Sequence, residues 1–310
     1  LAAIGSSTSL VYLLIAFSQG VSVGAGVVIS QRLGQKNKEG VQISVHTALA
    51  LAGILGMILT VGGILFSKEI LLWMNTPEEV LTDAVTYLSL YSGMVFNVVY
   101  NMAAGILNAA GNSRRSLGYL AIASVTNLIL DLVFIVGMKM GIAGAAIATN
   151  IGQIVSCVLA IWFLVRTQTD YKVCLSKIKI HKATAGLIIK IGLPTGFQNM
   201  VISLSNILVQ SSVNSFGANA MAGFGAYMKV DGFNVLPVTS FGMAATTFVG
   251  RNYGARKLER VKRGMWITLG IGILYTITTG VLLLTFSEAI MHLFSNDAAV
   301  IAYGQQAMRF

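Results

Sequence analysis

The chain has 310 residues, 55% of them hydrophobic and 10% charged, with a formal net charge of +10 and a mean hydropathy of +0.76. A water-soluble domain of this length could not hide so much apolar surface, which excludes a soluble enzyme or binding module. The positive charge does not point to nucleic acid, because it is spread over separate loops between apolar stretches.

A bilayer span needs roughly 20 apolar residues. Taken in order, eight stretches qualify: 1–31, 41–66, 81–108, 117–137, 142–165, 186–215, 219–250 and 264–286. A ninth begins near 298. There is no initiator Met, and the chain stops at Phe310 inside that ninth stretch. A fragment of a longer protein is therefore expected, cut at both ends.

Residues 1–90 and 221–310 read as one segment written twice at an offset of 220. Gly5/Gly225, Ala25/Ala245, Gly34/Gly254, Glu39/Glu259, Phe66/Phe286 and Val80/Val300 are among the identical pairs. Turn signals coincide too. Gly34 and Gly254 each open a basic loop, and Thr76-Pro77-Glu78 stands opposite Asn296-Asp297-Ala298 at a helix start. The span 186–215 precedes the second copy, so an equivalent span is expected upstream of residue 1. Each half then holds six spans. Six is even, so the halves cross the membrane in the same sense, as two parallel six-helix repeats. The fold class is an all-α polytopic membrane protein. Residues 1–165 form an N-lobe, 166–185 a linker and 186–310 the beginning of a C-lobe.

Loops 32–40, 109–116, 166–185 and 251–263 carry 16 of the 21 Lys and Arg. By the positive-inside rule they face the cytoplasm, and the linker with them. Cys157 lies in a span and Cys174 in the linker, a placement that suggests no disulfide. No metal-ligand spacing occurs. His46, His181 and His292 sit near span ends or in the linker, without partners suited to catalysis. No phosphate-binding Gly-Lys-Ser/Thr loop occurs, so an energy source must be an ion gradient or another chain. With no paired acids or clustered His and Cys at membrane depth, the chain is not read as an enzyme, and no cofactor is expected.

Three charges sit where the bilayer core should be: Asp131, Lys229 and Asp231. A charge at the centre of a span costs roughly 2.5–3.5 kcal/mol on insertion scales, and such residues line a bundle interior or a wet cavity. Asn127 lies one turn before Asp131 on the same face, so its amide can donate to the carboxylate. A carboxyl there can carry a proton, or stay ionised beside Na⁺. Thr149, on the next span, can reach the same cluster or bond back to the Ala145 carbonyl. Asn101 needs a partner within its own span, whereas Asn97 and Asn108 read as helix-end or interface residues. Lys229 and Asp231 are two residues apart, about 200° around a helix, so they do not pair directly. Gln198 and Asn199 on the preceding span are candidates to join them in a C-lobe polar network. Pro194 and Pro237 sit inside spans and are hinge candidates.

Several runs resemble the multidrug and toxic compound extrusion (MATE) transporters. Ile29-Ser30-Gln31-Arg32-Leu33-Gly34-Gln35-Lys36-Asn37 and Val249-Gly250-Arg251-Asn252-Tyr253-Gly254-Ala255-Arg256-Lys257 are similar to the loops after that family's second and eighth helices. Asn108-Ala109-Ala110-Gly111-Asn112-Ser113-Arg114 resembles its Gly-Asp/Asn-Ser/Thr-Arg loop. Asn127 to Asp131, followed by Gly141 to Thr149, resembles its fifth and sixth helices. The resemblance covers helix two to the start of helix ten of twelve.

It implies two six-helix lobes, alternating access, and secondary active efflux of drugs or organic cations in exchange for H⁺ or Na⁺, by a monomer in the plasma (inner) membrane. In the DinF-like branch an N-lobe cation site would use Asn127, Asp131 and Thr149, with Asn101 beside them. Na⁺ at Asp131 is the only metal that this implies. The stretch from Thr195 to Asn206 carries no acid, unlike the sodium-type branch, which favours the DinF-like one. A second reading is a lipid-linked oligosaccharide flippase of the same superfamily, which would need a cationic groove; Lys229 is the one base deep in a span.

Overall fold

In the computed structural model of the protein, residues 2–73, 78–90 and 94–309 are described. Twelve α-helices follow one another there, with no strand among them. They divide into two compact units, Leu1–Ser203 and Leu204–Phe310. The boundary between these units falls inside a helix.

In the first unit, α1 (Ala2–Gly34) and α2 (Lys38–Leu65) pack with α4 (Glu78–Leu90) and α5 (Met94–Ala109); short α3 (Ser67–Trp73) follows α2. The expected third span thus corresponds to α4 and α5. Thr76 and Pro77, read as a helix start, lie outside the described residues, but α4 does begin at Glu78. Next come α6 (Ser113–Asp131), a π-helical turn over Leu132–Gly137, and α7 (Gly141–Arg166). A short connection then leads to α8 (Lys182–Asn214), most of which belongs to this unit. The core is built on small residues: Ala25, Ala48, Ala52, Ala103, Ala109 and Ala160 are buried among Ile29, Val41, Ile106 and Leu164. Small side chains let membrane helices approach closely, where lipid supplies no hydrophobic drive.

The second unit holds α9 (Ala218–Gly254), α10 (Leu258–Thr285), α11 (Ser287–His292) and α12 (Ala298–Met308). Asp297 caps α12, its Oδ1 accepting from the Ala299 amide at 2.8 Å. The internal repeat is visible residue by residue. The ends of α1 and α2, Gly34 and Leu65, fall at the same offset of 220 as those of α9 and α10, Gly254 and Thr285. The turns agree as well. Asn37 N donates to Arg32 O at 3.1 Å, and Lys257 N donates to Asn252 O at 2.9 Å.

Six described helices are long and apolar enough to cross a bilayer, namely α1, α2, α6 with its π turn, α7, α8 and α10. No described residue of α10 is buried, although it carries Trp266, Leu269, Ile273, Leu274 and Ile277. In water that surface would be untenable. The protein is an all-α, multi-pass membrane protein.

Candidate functional site

The polar residues at membrane depth in the first unit rest on a close approach of α6 and α7. A Cβ on Gly152 would lie 3.1 Å from the Ala123 carbonyl and 3.2 Å from Asn127 Cβ. Glycine leaves room for this approach, and any larger residue would press the neighbouring helix back. The approach brings Asn127 of α6 to Thr149 of α7: Asn127 Nδ2 donates to Thr149 Oγ1 at 3.5 Å, and Thr149 Oγ1 donates to the Ala145 carbonyl at 2.9 Å. Thr149 therefore does both things that the sequence left open.

Asp131 is the last α-helical residue before the π turn. Its Oδ1 is shielded from solvent and has no hydrogen-bond partner. The expected donation from Asn127 to this carboxylate is not made; the amide is directed to Thr149 instead. The π turn is set by i→i−5 bonding, with Met138 N donating to Val133 O at 2.8 Å. It closes through Lys139 and Gly141, both left-handed, at φ 55° and 58°. Single π turns in helices are frequent at functional sites. A buried acceptor without a donor, in a helix that changes its winding there, is suited to receive a proton or a cation.

Asn101 finds its partner on its own helix, where its Nδ2 donates to Asn97 Oδ1 at 2.8 Å. Its carbonyl accepts from Ser22 Oγ of α1 at 2.6 Å. The structure thus forms two polar groups, Asn127–Thr149 on α6 and α7, and Asn97–Asn101–Ser22 on α5 and α1. Sequence reading treated Asn97 as neutral and passed over Ser22. A hydroxyl four residues from each of Ser18 and Gly26 in an apolar span was the signal available.

In the C-terminal direction, Asn199 Nδ2 donates to the Ala16 carbonyl of α1 at 3.2 Å, while Gln198 is exposed. Among the described residues the ion pairs are Lys38–Asp170 and Lys262–Glu259, so Lys229 and Asp231 are not paired with each other, as their spacing requires. Pro194 lies inside α8 and Pro237 inside α9. Near Pro237, Tyr275 Oη of α10 donates to the Asn234 carbonyl at 3.2 Å. An open groove of about 680 Å³ between α9 and α10 is lined by Val238, Phe241, Met265, Trp266, Leu269 and Ile273. It has scarcely a polar group to orient a ligand.

The MatE family model matches residues 1–133 and 194–310. The chain belongs to the MATE family. Among curated relatives it is 32% identical over 308 residues to the probable multidrug resistance protein YoeA of Bacillus subtilis, covering 96% of this chain and 66% of that protein. It is 28% identical to the probable multidrug resistance protein YpnP of the same organism, covering 100% and 69%. The chain thus spans about two thirds of the length of these relatives. Among solved structures, a MATE protein in the bent conformation superposes with a TM-score of 0.90 at 23% identity, over 99% of this chain and 69% of that one. An outward-facing MATE multidrug resistance transporter of the MOP superfamily gives 0.89 at 24% identity, over 100% and 70%. The two-repeat fold expected from the sequence is therefore the MATE fold.

Proposed function

We propose that the protein acts in secondary active export of organic, often cationic compounds in exchange for H⁺ or Na⁺, by alternating access. One observation carries the coupling part of this reading: the Oδ1 of Asp131 is buried at membrane depth, without a donor, at the junction of an α-helix and a π turn. Asp131 takes the coupling ion, while Asn127 and Thr149 form the polar wall one turn away. Asn101 belongs to the neighbouring group. The multidrug resistance names of the relatives support the substrate class. The 16 Lys and Arg in alternate loops support a plasma-membrane protein with the 166–185 linker in the cytoplasm. A monomer, without a cofactor and without enzymatic chemistry, completes the reading.

The test is efflux of a fluorescent organic cation from vesicles, with H⁺ and Na⁺ gradients imposed separately. Asp131→Asn should abolish gradient-driven efflux while the protein still reaches the membrane. Full efflux by that variant would sink the proposal.

A further inference from the structure

The segment between α7 and α8 carries Lys172, Lys177 and Lys179, and α8 opens on Lys182. No acid occurs in the chain from Tyr171 to Val230. None of these four lysines is ion-paired with a described residue, and Asp170, just before them, is held by Lys38 at 3.5 Å.

The segment is a strap tied down through its backbone. Gln42 Nε2 of α2 donates to the Asp170 carbonyl at 2.6 Å, and Val173 N donates to the Leu164 carbonyl of α7 at 2.8 Å. His46 of α2, buried, accepts on Nε2 from the Cys174 amide at 2.9 Å. Thr47 Oγ1 donates to the Lys179 carbonyl at 3.4 Å and accepts from His181 N at 3.3 Å. Between the ties at Cys174 and Lys179, a 3₁₀ turn spans Leu175–Lys177. Leu175 is 62% exposed and Ile180 45%, with Lys177, Lys179 and Lys182 exposed beside them.

The ties set the depth of the strap. α2 has 28 residues, about 42 Å, close to the roughly 40–45 Å of a bilayer with its headgroups. His46 lies eight residues past Lys38, about 12 Å along the axis. A headgroup layer is only about 5–8 Å deep. The strap therefore runs beside α2 at the level where headgroups meet acyl chains. At the same end of α7, exposed Trp162 stands one turn from Arg166, whose guanidinium lies 5.0 Å from the ring centre. Tryptophan and basic residues together are the composition of a membrane interface.

We infer that Leu175–Lys182 is a docking surface for anionic phospholipid. Leu175 and Ile180 enter the upper acyl region, and Lys177, Lys179 and Lys182 hold headgroup phosphates. Lysine suits this place, since its stem covers apolar surface while its charge reaches the phosphate. Exposed Leu and Ile interleaved with unpaired lysines at this depth fit a lipid better than an acidic protein. The inference needs only that the chain spans a membrane, and it stands whether or not the chain exports anything.

In the test, the full chain is placed in lipid nanodiscs with a fluorophore at Leu175→Cys, in a Cys157→Ser, Cys174→Ser background. The Cys174 tie is made by its backbone and survives the change. A label at Lys257→Cys is the aqueous reference. Lipids carrying a nitroxide near the headgroup should quench the Leu175 label several-fold more than the reference, and iodide in the water should do the reverse. Equal iodide quenching at both positions would put Leu175 in water and overturn the inference. Protection from both quenchers would mean that protein covers the strap, and would overturn it too.

Headgroup choice is read in mixed micelles, as energy transfer between the Leu175 label and a fluorescent phosphatidylglycerol or phosphatidylcholine. Phosphatidylglycerol should be preferred, and each of Lys177→Gln, Lys179→Gln and Lys182→Gln should lower the preference by up to roughly fivefold. The triple variant should lower it at least tenfold, with its helix content unchanged by circular dichroism. An undiminished preference would overturn the role of the lysines. Millimolar inorganic phosphate should leave the lipid in place; displacement by it would mean a small-anion site instead of a lipid surface.

Discussion

Lys36 and Arg256 stand 220 residues apart in the chain and occupy the same left-handed backbone state, at φ 54° and 57°. Each ends a helix in the same way. Lys36 N donates to Leu33 O at 3.1 Å, and Arg256 N donates to Tyr253 O at 2.9 Å. Left-handed backbone is disfavoured for residues with a Cβ, and here both copies of the repeat keep a long basic side chain in it rather than a glycine. A basic side chain at a helix C-terminus also faces the negative end of the helix dipole. The turn therefore balances a backbone cost against an electrostatic gain.

That balance can be measured at Lys36. Lys36→Gly removes a backbone penalty of roughly 1–2 kcal/mol and loses about 0.3–1 kcal/mol of dipole interaction, so the thermal midpoint should rise slightly or hold. Lys36→Val keeps the penalty, worsens it by branching and loses the charge, so the midpoint should fall. Thermal unfolding of the purified protein checks the order of the two. Equal midpoints would show that the left-handed turn carries no strain.

Thr149 is the acceptor for the Asn127 amide. Thr149→Val keeps the shape and removes the acceptor, leaving a polar amide without a partner, at a cost of about 1–3 kcal/mol. Thr149→Ser keeps the hydroxyl. Under the proposed role, the Val variant should need about tenfold more coupling ion for half-maximal efflux, and the Ser variant should stay near the parent. If Val and Ser behave alike in ion-dependent efflux, the hydroxyl plays no part at the site.

Most of the fold was legible because the membrane simplifies the physics. Apolar runs long enough to span, basic loops on alternate sides and a repeat at a constant offset located the helices to within a few residues. Asp131, Asn127 and Thr149 were legible as polar residues that lipid would penalise. Their connections were not. Which group Asn127 serves depends on how near α7 comes, and that is decided by Gly152 rather than by any polar residue. Ser22 and His46 were missed for a related reason: each works through a backbone group of a segment distant in sequence, at Asn101 and Cys174. The π turn after Asp131 left no mark in the pattern, since Leu132 to Val136 would read equally well as α-helix.

Gly152 tests the claim about helix approach directly. Gly152→Leu places a side chain where a Cβ alone would already be 3.1 Å from the Ala123 carbonyl. Overpacking of this kind costs typically about 1–3 kcal/mol, and here it must part α6 from α7. The variant should lose coupling as severely as Thr149→Val, since Asn127 would no longer reach Thr149. Gly152→Ala should lie between parent and Leu. Normal ion dependence in the Leu variant would show that the Asn127–Thr149 contact is dispensable.

The proline region of α9 offers a last measurement. Pro237 has no amide hydrogen, so the carbonyl four residues earlier, at Phe233, loses its helical donor. The next carbonyl, Asn234, accepts from Tyr275 Oη of α10 at 3.2 Å, and the Tyr275 ring packs edge to face on Phe241 at 5.9 Å. If the proline exposes the Asn234 carbonyl to Tyr275, the two residues are energetically coupled. Tyr275→Phe keeps the ring contact and loses only the hydroxyl, at a cost of about 0.6 kcal/mol, the average for a hydrogen bond between membrane helices. Pro237→Ala lets the helix straighten and draws that carbonyl back into its own ladder. The same Tyr275→Phe change should then cost almost nothing in the Pro237→Ala background. A double-mutant cycle on unfolding in mixed micelles reads this difference, and strict additivity would mean that Tyr275 braces α9 independently of the proline.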